Sequence, residues 1–202
     1  VANVMASGSV TVMNGTYTES VQITKAVDIT GESEAGVIVQ ANAAGPVDGT
    51  NCFTIAAGLG NTVSIQNMTI RNGDYGIRSS SGNVDVLYCT LYHNGYDGTD
   101  YTTPTTQISS GIDYAAYGTD GGAVRIHDST DSEVAWCTVY ENDRGIRLNN
   151  CSNGYVHDNN VYDNIQSGMY LAYSGGNGCT DTLGEDNISY GNKNNGILVL
   201  GG

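Results

Sequence analysis

The sequence is short of positive charge. Seven Lys and Arg stand against 21 Asp and Glu in 202 residues, giving a formal charge of −14 and a pI near 4.1. That sign repels phosphate backbones and anionic lipid, which argues against nucleic acid and against anionic membrane surfaces as partners. Charged residues of both signs make up only 14% of the chain, so the acidity comes from missing Lys and Arg. Strong helix formers are also scarce: 8 Leu, 2 Lys and 6 Glu, against 28 Gly and 21 Asn. This balance favours turns and β-strands. No apolar run reaches the roughly 18 residues that a membrane-spanning helix needs, so membrane insertion is not expected. The chain starts at Val1 without a charged-then-apolar leader, and the expectation is that a signal peptide has already been removed. Five Cys, little Lys, and four Asn-x-Ser/Thr sequons at Asn14, Asn67, Asn150 and Asn187 are what an extracellular or cell-surface glycoprotein would carry.

What the sequence does have is repetition. Asn67-Met-Thr-Ile-Arg-Asn72 aligns with Tyr88-Cys-Thr-Leu-Tyr-His-Asn94, Trp136-Cys-Thr-Val-Tyr-Glu-Asn142 and Asp158-Asn-Asn-Val-Tyr-Asp-Asn164, with a worn copy at Glu185-Asp-Asn-Ile-Ser189. The apolar member recurs at Ile70, Leu91, Val139, Val161 and Ile188, with gaps of 21, 48, 22 and 27 residues. A second strand follows each copy: Gly76-Ile-Arg78, Ala123-Val-Arg125, Gly145-Ile-Arg147, Gly168-Met-Tyr170 and Gly196-Ile-Leu198. The unit is thus about 22 residues of short alternating strands between Asn, Asp and Gly turns. The 48-residue gap holds one unit and an insertion over residues 95–120, rich in Tyr, Thr, Asp and Gly.

Strands too brief for hairpins, repeating at that period with one apolar face, stack as coils of a parallel β-solenoid. The expectation is an all-β, single-domain solenoid over residues 1–202, of about seven or eight coils, with a long loop insertion between coils at 95–120. The opening Val10-Thr-Val-Met-Asn-Gly-Thr-Tyr…Asp28-Ile-Thr-Gly-Glu32 resembles the first coils of right-handed parallel β-helices. Cys89-Thr-Leu-Tyr-His-Asn94 and Arg144-Gly-Ile146 resemble the NosD-type repeat of the same pectin-lyase-like group. The resemblance implies a right-handed β-helix, and it leaves the activity open across lyases, hydrolases, epimerases, adhesins and surface-layer proteins.

Equivalent positions of such coils stack about 4.8 Å apart, so the alignment is also a contact map. Arg78, Arg125 and Arg147 share one outward column, with Arg71 and Arg144 nearby. They are either a strip for an acidic sugar or a balance for surface carboxylates. Tyr92, Tyr140 and Tyr162 form an outward aromatic column beside a Tyr88/Trp136 pair, suited to a stabilising ladder, an interface or a sugar platform. Cys89 and Cys137 stack as buried hydrophobes, whereas Cys151 and Cys179 are disulfide candidates. The odd count leaves one sulfur over, with Cys52 as the candidate for a free or inter-chain thiol.

No catalytic signature stands out. The lyases of the resembled group pair a calcium cluster of several Asp with a basic proton acceptor. The residues that could match are Asp97 and Asp100 in the insertion, with Arg125, Arg147 or His127 opposite them. Calcium is then the one cofactor to consider, and no other is expected. His93, His127 and His157 are scattered and read as surface or turn residues. Neither end of the repeat carries an evident cap: only Val1–Ala6 precede the first strand, and Gly196-Ile-Leu-Val-Leu200 ends on an apolar strand. The chain is either a piece of a longer protein or a unit whose ends stack on neighbours. The leading expectation is a secreted structural solenoid that assembles with copies of itself into a fibre, sheath or surface layer. The alternative is a β-helix that binds or cleaves an acidic polysaccharide.

Overall fold

A computed structural model describes residues 8–95, 121–172 and 179–200. Every regular element among them is a short strand, and every strand pairing is parallel. The first coil is β1 (Gly8–Val12), β2 (Gly15–Thr18) and β3 (Val21–Ile23). The second is β4 (Val27–Gly31), β5 (Val37–Gln40) and β6 (Phe53–Ile55), and the third is β7 (Val63–Gln66), β8 (Thr69–Arg71) and β9 (Tyr75–Ser79). The fourth is β10 (Val84–Leu87), β11 (Thr90–Tyr92) and β12 (Gly122–His127), and the fifth is β13 (Ser132–Ala135), β14 (Thr138–Tyr140) and β15 (Ile146–Asn149). The sixth is β16 (Gly154–His157), β17 (Asn160–Tyr162) and β18 (Met169–Ala172), and the seventh is β19 (Leu183–Glu185), β20 (Ile188–Tyr190) and β21 (Ile197–Leu200).

Each coil gives one strand to each of three seven-stranded sheets, so the described residues form seven coils of a parallel solenoid. A strand of three to five residues cannot close a core alone, because its backbone groups and its apolar face both need a neighbour. Stacking supplies both at once. Ile29, Ile65, Val86, Val134 and Val156 run down the inside of the first sheet. Val39, Ile70, Leu91, Val139 and Val161 run down the second. Phe53, Ile77, Val124, Ile146 and Met169 run down the third. Together they form one continuous buried cluster.

The repeat alignment holds at every copy but the last. Ser189, not Ile188, pairs with Val161 and takes the inward position, so the spacing there is 28 residues and Ile188 lies 63% exposed. Inside the seventh coil Gly184 likewise follows Val156. The apolar-in rule fails there because the inward side chains have shrunk to Ser and Gly.

The expected 95–120 insertion falls between β11 and β12, two strands of one coil, and its residues 96–120 lie outside the described residues. Its flanks are close together: a Cβ placed on Gly121 would lie 2.7 Å from the Cα of Gly95. The Gly95 N–H donates to Gly73 O (2.9 Å) and the Gly122 N–H to Asp74 O (2.9 Å), so the coil keeps its stacking on both sides of the insertion.

The corners are built by polar side chains. Between the second and third sheets Asn94, Asn142, Asn164 and Asn192 stack in a ladder. Each of the first three donates its Nδ2 to the next Oδ1, and that oxygen also takes the backbone N–H (2.8–3.1 Å). Asn94, Asn142 and Asn164 are fully buried. A second pair, Asn159 and Asn187, does the same between the first and second sheets. Beside these ladders the turns of the third to seventh coils take left-handed backbones, among them Asn67, Tyr88, Trp136, Asp158 and Asp186 with φ between 51° and 59°. Asn and Asp adopt that conformation readily, whereas Tyr88 and Trp136 carry strain there.

Candidate functional site

The three expected arginines do stand together. Arg78, Arg125 and Arg147 are in register on the outer face of the third sheet, and Tyr170 continues their column. Tyrosine rings support them: the guanidinium carbons of Arg78 and Arg125 lie 5.5 and 5.7 Å from the Tyr75 ring, and that of Arg147 lies 5.3 Å from Tyr170. Such contacts hold a cation flat against an aromatic face. Arg147 Nε donates to Asn149 Oδ1 at 2.6 Å, whereas the buried Nε of Arg78 has no hydrogen-bond acceptor among the described residues. At the lower end a polar cavity of about 160 Å³ opens between Arg144, Arg147, Gln166, Ser167, Tyr170 and Asn194. Its wall is fixed: Arg144 Nε donates to Gln166 Oε1 (3.1 Å), and Gln166 Nε2 donates to the buried Asp143 (2.9 Å).

The tyrosines lie elsewhere. Tyr92, Tyr140 and Tyr162 stack on the outer face of the second sheet, with ring centroids 5.2 Å apart and planes within 12°. Arginines and tyrosine ladder occupy different sheets, so no single site contains both columns. Sequence reading missed the fourth rung, Tyr190, 5.1 Å below Tyr162, because the last copy was aligned one residue early. Above the ladder Arg71 donates to the Tyr92 hydroxyl (2.8 Å) and to Gln40 Oε1 (3.0 Å), and Gln40 donates to Thr18 (2.9 Å). The stripe therefore spans all seven coils. Burial, with Tyr92 and Tyr162 on either side, pushes the Tyr140 hydroxyl up to about 12. The Tyr88/Trp136 pair also forms, stacked at 4.8 Å.

These coils match the family model for the right handed beta helix region over residues 53–202. The chain belongs to the right-handed β-helix family. No curated protein and no solved structure matches this β-helix.

The family spans too many activities to assign one, so the remaining groups of the β-helix have to be read individually. Asp97 and Asp100 lie outside the described residues, and among the described residues no group of three or more His, Cys, Asp or Glu is placed to hold a metal. His127 shares the outer face of β12 with Arg125, and its Nδ1 lies 2.8 Å from Asp128. His93 lies 3.0 Å from Glu141, and burial lowers its pKa against that carboxylate's pull. His157 is more deeply set than a turn histidine. It lies 2.8 Å from both Glu133 and Asp158, stacks on Tyr155 and meets Trp136 edge-on. Burial works to lower its pKa, but the bonds to the two carboxylates outweigh it and raise it. Asp85, in register with Glu133 on the same face, is raised by burial, with the charges of Glu133 and Asp28 adding to it. Held between Glu133 and Asp158, His157 braces the fifth coil against the sixth.

Of the sequons, Asn14 is exposed and accepts from Ser33 (2.7 Å). The Nδ2 groups of Asn67 and Asn187 donate to Gly31 O (2.7 Å) and Val156 O (2.8 Å), and Asn150 donates to Asp128. A glycan on any of these three would replace an internal hydrogen bond. Cys52, the expected odd thiol, is fully buried and donates to Arg71 O (3.1 Å), with burial pushing it up to about 12. It lies inside the core rather than at a surface where two chains could meet. Cys89 and Cys137 are stacked and buried, as their column implied.

Proposed function

We propose that this β-helix is a secreted structural subunit that stacks end to end on further copies of itself, building a fibre, sheath or surface layer. The observation that carries the reading is the chemistry of the edges. The six strands that bound the described sheets, β1 to β3 and β19 to β21, contain one charged residue, Glu185, and no Lys or Pro. Soluble proteins commonly guard such edges with charge, Pro or bulges. Among the described residues both faces are also hollow and mainly apolar, with Glu19 the one charged group on their walls. One holds a cavity of about 360 Å³ lined by Val10, Val12, Tyr17, Val21, Ile29 and Phe53 among others, and the opposite face holds one of about 140 Å³ lined by Met169, Leu171, Ile197 and Val199 among others. A second copy suits them because its opposite face offers three parallel edge strands that would extend each sheet in the same direction. That contact is heterologous, and heterologous contacts grow without closing unless the rotation makes a ring.

Sedimentation velocity and negative-stain electron microscopy across a concentration series test this. The expected outcome is rods that lengthen with concentration, and short or monomeric particles for Val12→Lys, which places an ammonium in the larger cavity. A wild-type chain that stays monomeric throughout overturns the reading. A second reading, recognition of an acidic polysaccharide, is favoured by the arginine column and the polar cavity beside Arg144 and Arg147. It would appear in the same series as a monomer retained on a polyuronate matrix, with retention lost in Arg147→Ala.

A further inference from the structure

Two thiols share one corner of the β-helix. Cys151 follows β15 and Cys179 follows β18, at successive turns between the third sheet and the first. The next residues, Ser152 and Thr180, form a parallel bridge, and the Thr180 N–H donates to Cys151 O at 3.0 Å. In-register parallel neighbours lie about 4.8 Å apart at Cα, inside the roughly 4.4–6.8 Å that a disulfide spans. The side chains point the same way: Cys151 Sγ reaches Ile126 O (3.6 Å), Cys179 Sγ reaches Leu148 O (3.4 Å), and the two thiols hydrogen-bond to each other.

Their surroundings differ. Cys151 is buried, whereas Cys179 is half-buried and lines the apolar cavity of about 140 Å³ on the lower face. Cys52, Cys89 and Cys137 are all buried in the core. One thiol of five is therefore open to a small reagent, and it has a second thiol directly behind it.

We propose that Cys151 and Cys179 form a redox-active dithiol that exchanges with low-molecular-weight disulfides, Cys179 being the attacking thiol and Cys151 the resolving one. The Cys179 thiolate attacks one sulfur of the reagent, breaking its S–S bond and releasing one thiolate. Cys151 then attacks the Cys179 sulfur of the mixed disulfide, and the second reagent thiolate leaves, taking up the Cys151 proton. The two protein thiols are oxidised, the reagent is reduced to two thiols, and the new bond ties one turn of the corner to the next. The hydrogen bond from Cys151 is the main cause that lowers Cys179 to about 6, while the same contact and burial hold Cys151 above the ordinary thiol range. A low-pKa thiol facing a disulfide, with a protonated partner at hand, is the arrangement such exchange requires.

The test is incubation with bis(2-hydroxyethyl) disulfide, followed by denaturation, alkylation and mass analysis of the tryptic peptide 148–193, which contains these two Cys and no other. The expected product is that peptide lighter by two hydrogens and closed to alkylation, with the other three Cys fully alkylated. The initial rate should be flat above about pH 7 and fall below about pH 6. Cys179→Ser should abolish reaction, and Cys151→Ser should stop at a stable mixed disulfide on Cys179. The closed loop should raise the melting temperature by roughly 5 to 10 °C. The reaction is run in parallel on Val12→Lys, altered on the opposite face, so that protection of Cys179 by stacking is distinguishable from an inert thiol. A wild-type mixed disulfide that persists on Cys179, or an unreactive Cys179 in both proteins, overturns the proposal.

Discussion

Asn164 is bonded to three coils at once. Its Nδ2 donates to Val139 O (3.2 Å) in the coil above and to Tyr162 O (3.1 Å) in its own, and it meets Asn192 Oδ1 (2.8 Å) in the coil below. Its Oδ1 receives both the backbone N–H and the side-chain Nδ2 of Asn142. Replacing it with Ala leaves several fully buried groups without partners, each costing about 1–3 kcal/mol. Asn164→Ala should therefore lose about 3–5 kcal/mol, whereas Asn192→Ala, at the half-buried last rung, should lose much less. Denaturant melts with an unchanged slope read both. These asparagines were legible as turn formers but not as a ladder, because a buried Asn and a solvated one look alike in composition. The signal was their fixed place three residues after each inward Leu91, Val139 and Val161. Asn192 keeps that offset from Ser189, and it would have corrected the register of the last coil.

At the scale of strands and corners, space is decided by glycine. Gly76, Ala123, Gly145, Gly168 and Gly196 lie in register just before the inward residue of the third sheet. A Cβ on Gly145 would sit 2.1 Å from Gly168 O, backbone that cannot swing aside. A Cβ on Gly184 would meet nothing nearer than Leu171 Cδ1 at 3.6 Å, on the wall of the lower cavity. Gly145→Val is expected to cost about 3 kcal/mol; Gly184→Ala should be neutral or stabilise by up to about 1 kcal/mol. Thermal melts of the two variants separate these signs. The Gly-apolar-Arg pattern announced the strand and the outward Arg column, since both follow from alternation. It could not announce Tyr75, which lies outside the aligned segment and becomes a partner of Arg78 and Arg125 only once the coils stack.

For the molecule as a whole, the arginine column follows a rule that stacking imposes. Stacking places like side chains on like, so a column of arginines lasts only if each is held by something other than its neighbour; Tyr75, Tyr170 and Asn149 do this. The same rule explains why the tyrosine stripe is uncharged over four coils. The fold was readable because a solenoid repeats its information in every coil, so errors in one copy are corrected by the others. The surfaces proposed to carry function were less readable because they are where the repeat breaks: Ser189 and Gly184 inside the last coil, Cys179 beside its cavity, and edge strands with one charge among them.

The pinched base at Gly95 and Gly121 has one more consequence. Consecutive Cα atoms are about 3.8 Å apart across a trans peptide, so the two glycines are near enough to be joined directly. The backbone ladder of the coil is carried by Gly95 and Gly122 on either side of the insertion. Removing residues 96–120 should leave the far-ultraviolet spectrum and melting temperature within a few degrees of the parent, and a foreign peptide put in their place should be carried as readily. A corner whose two flanks meet can close on itself, so the ladder of backbone bonds does not set the length of chain inserted there.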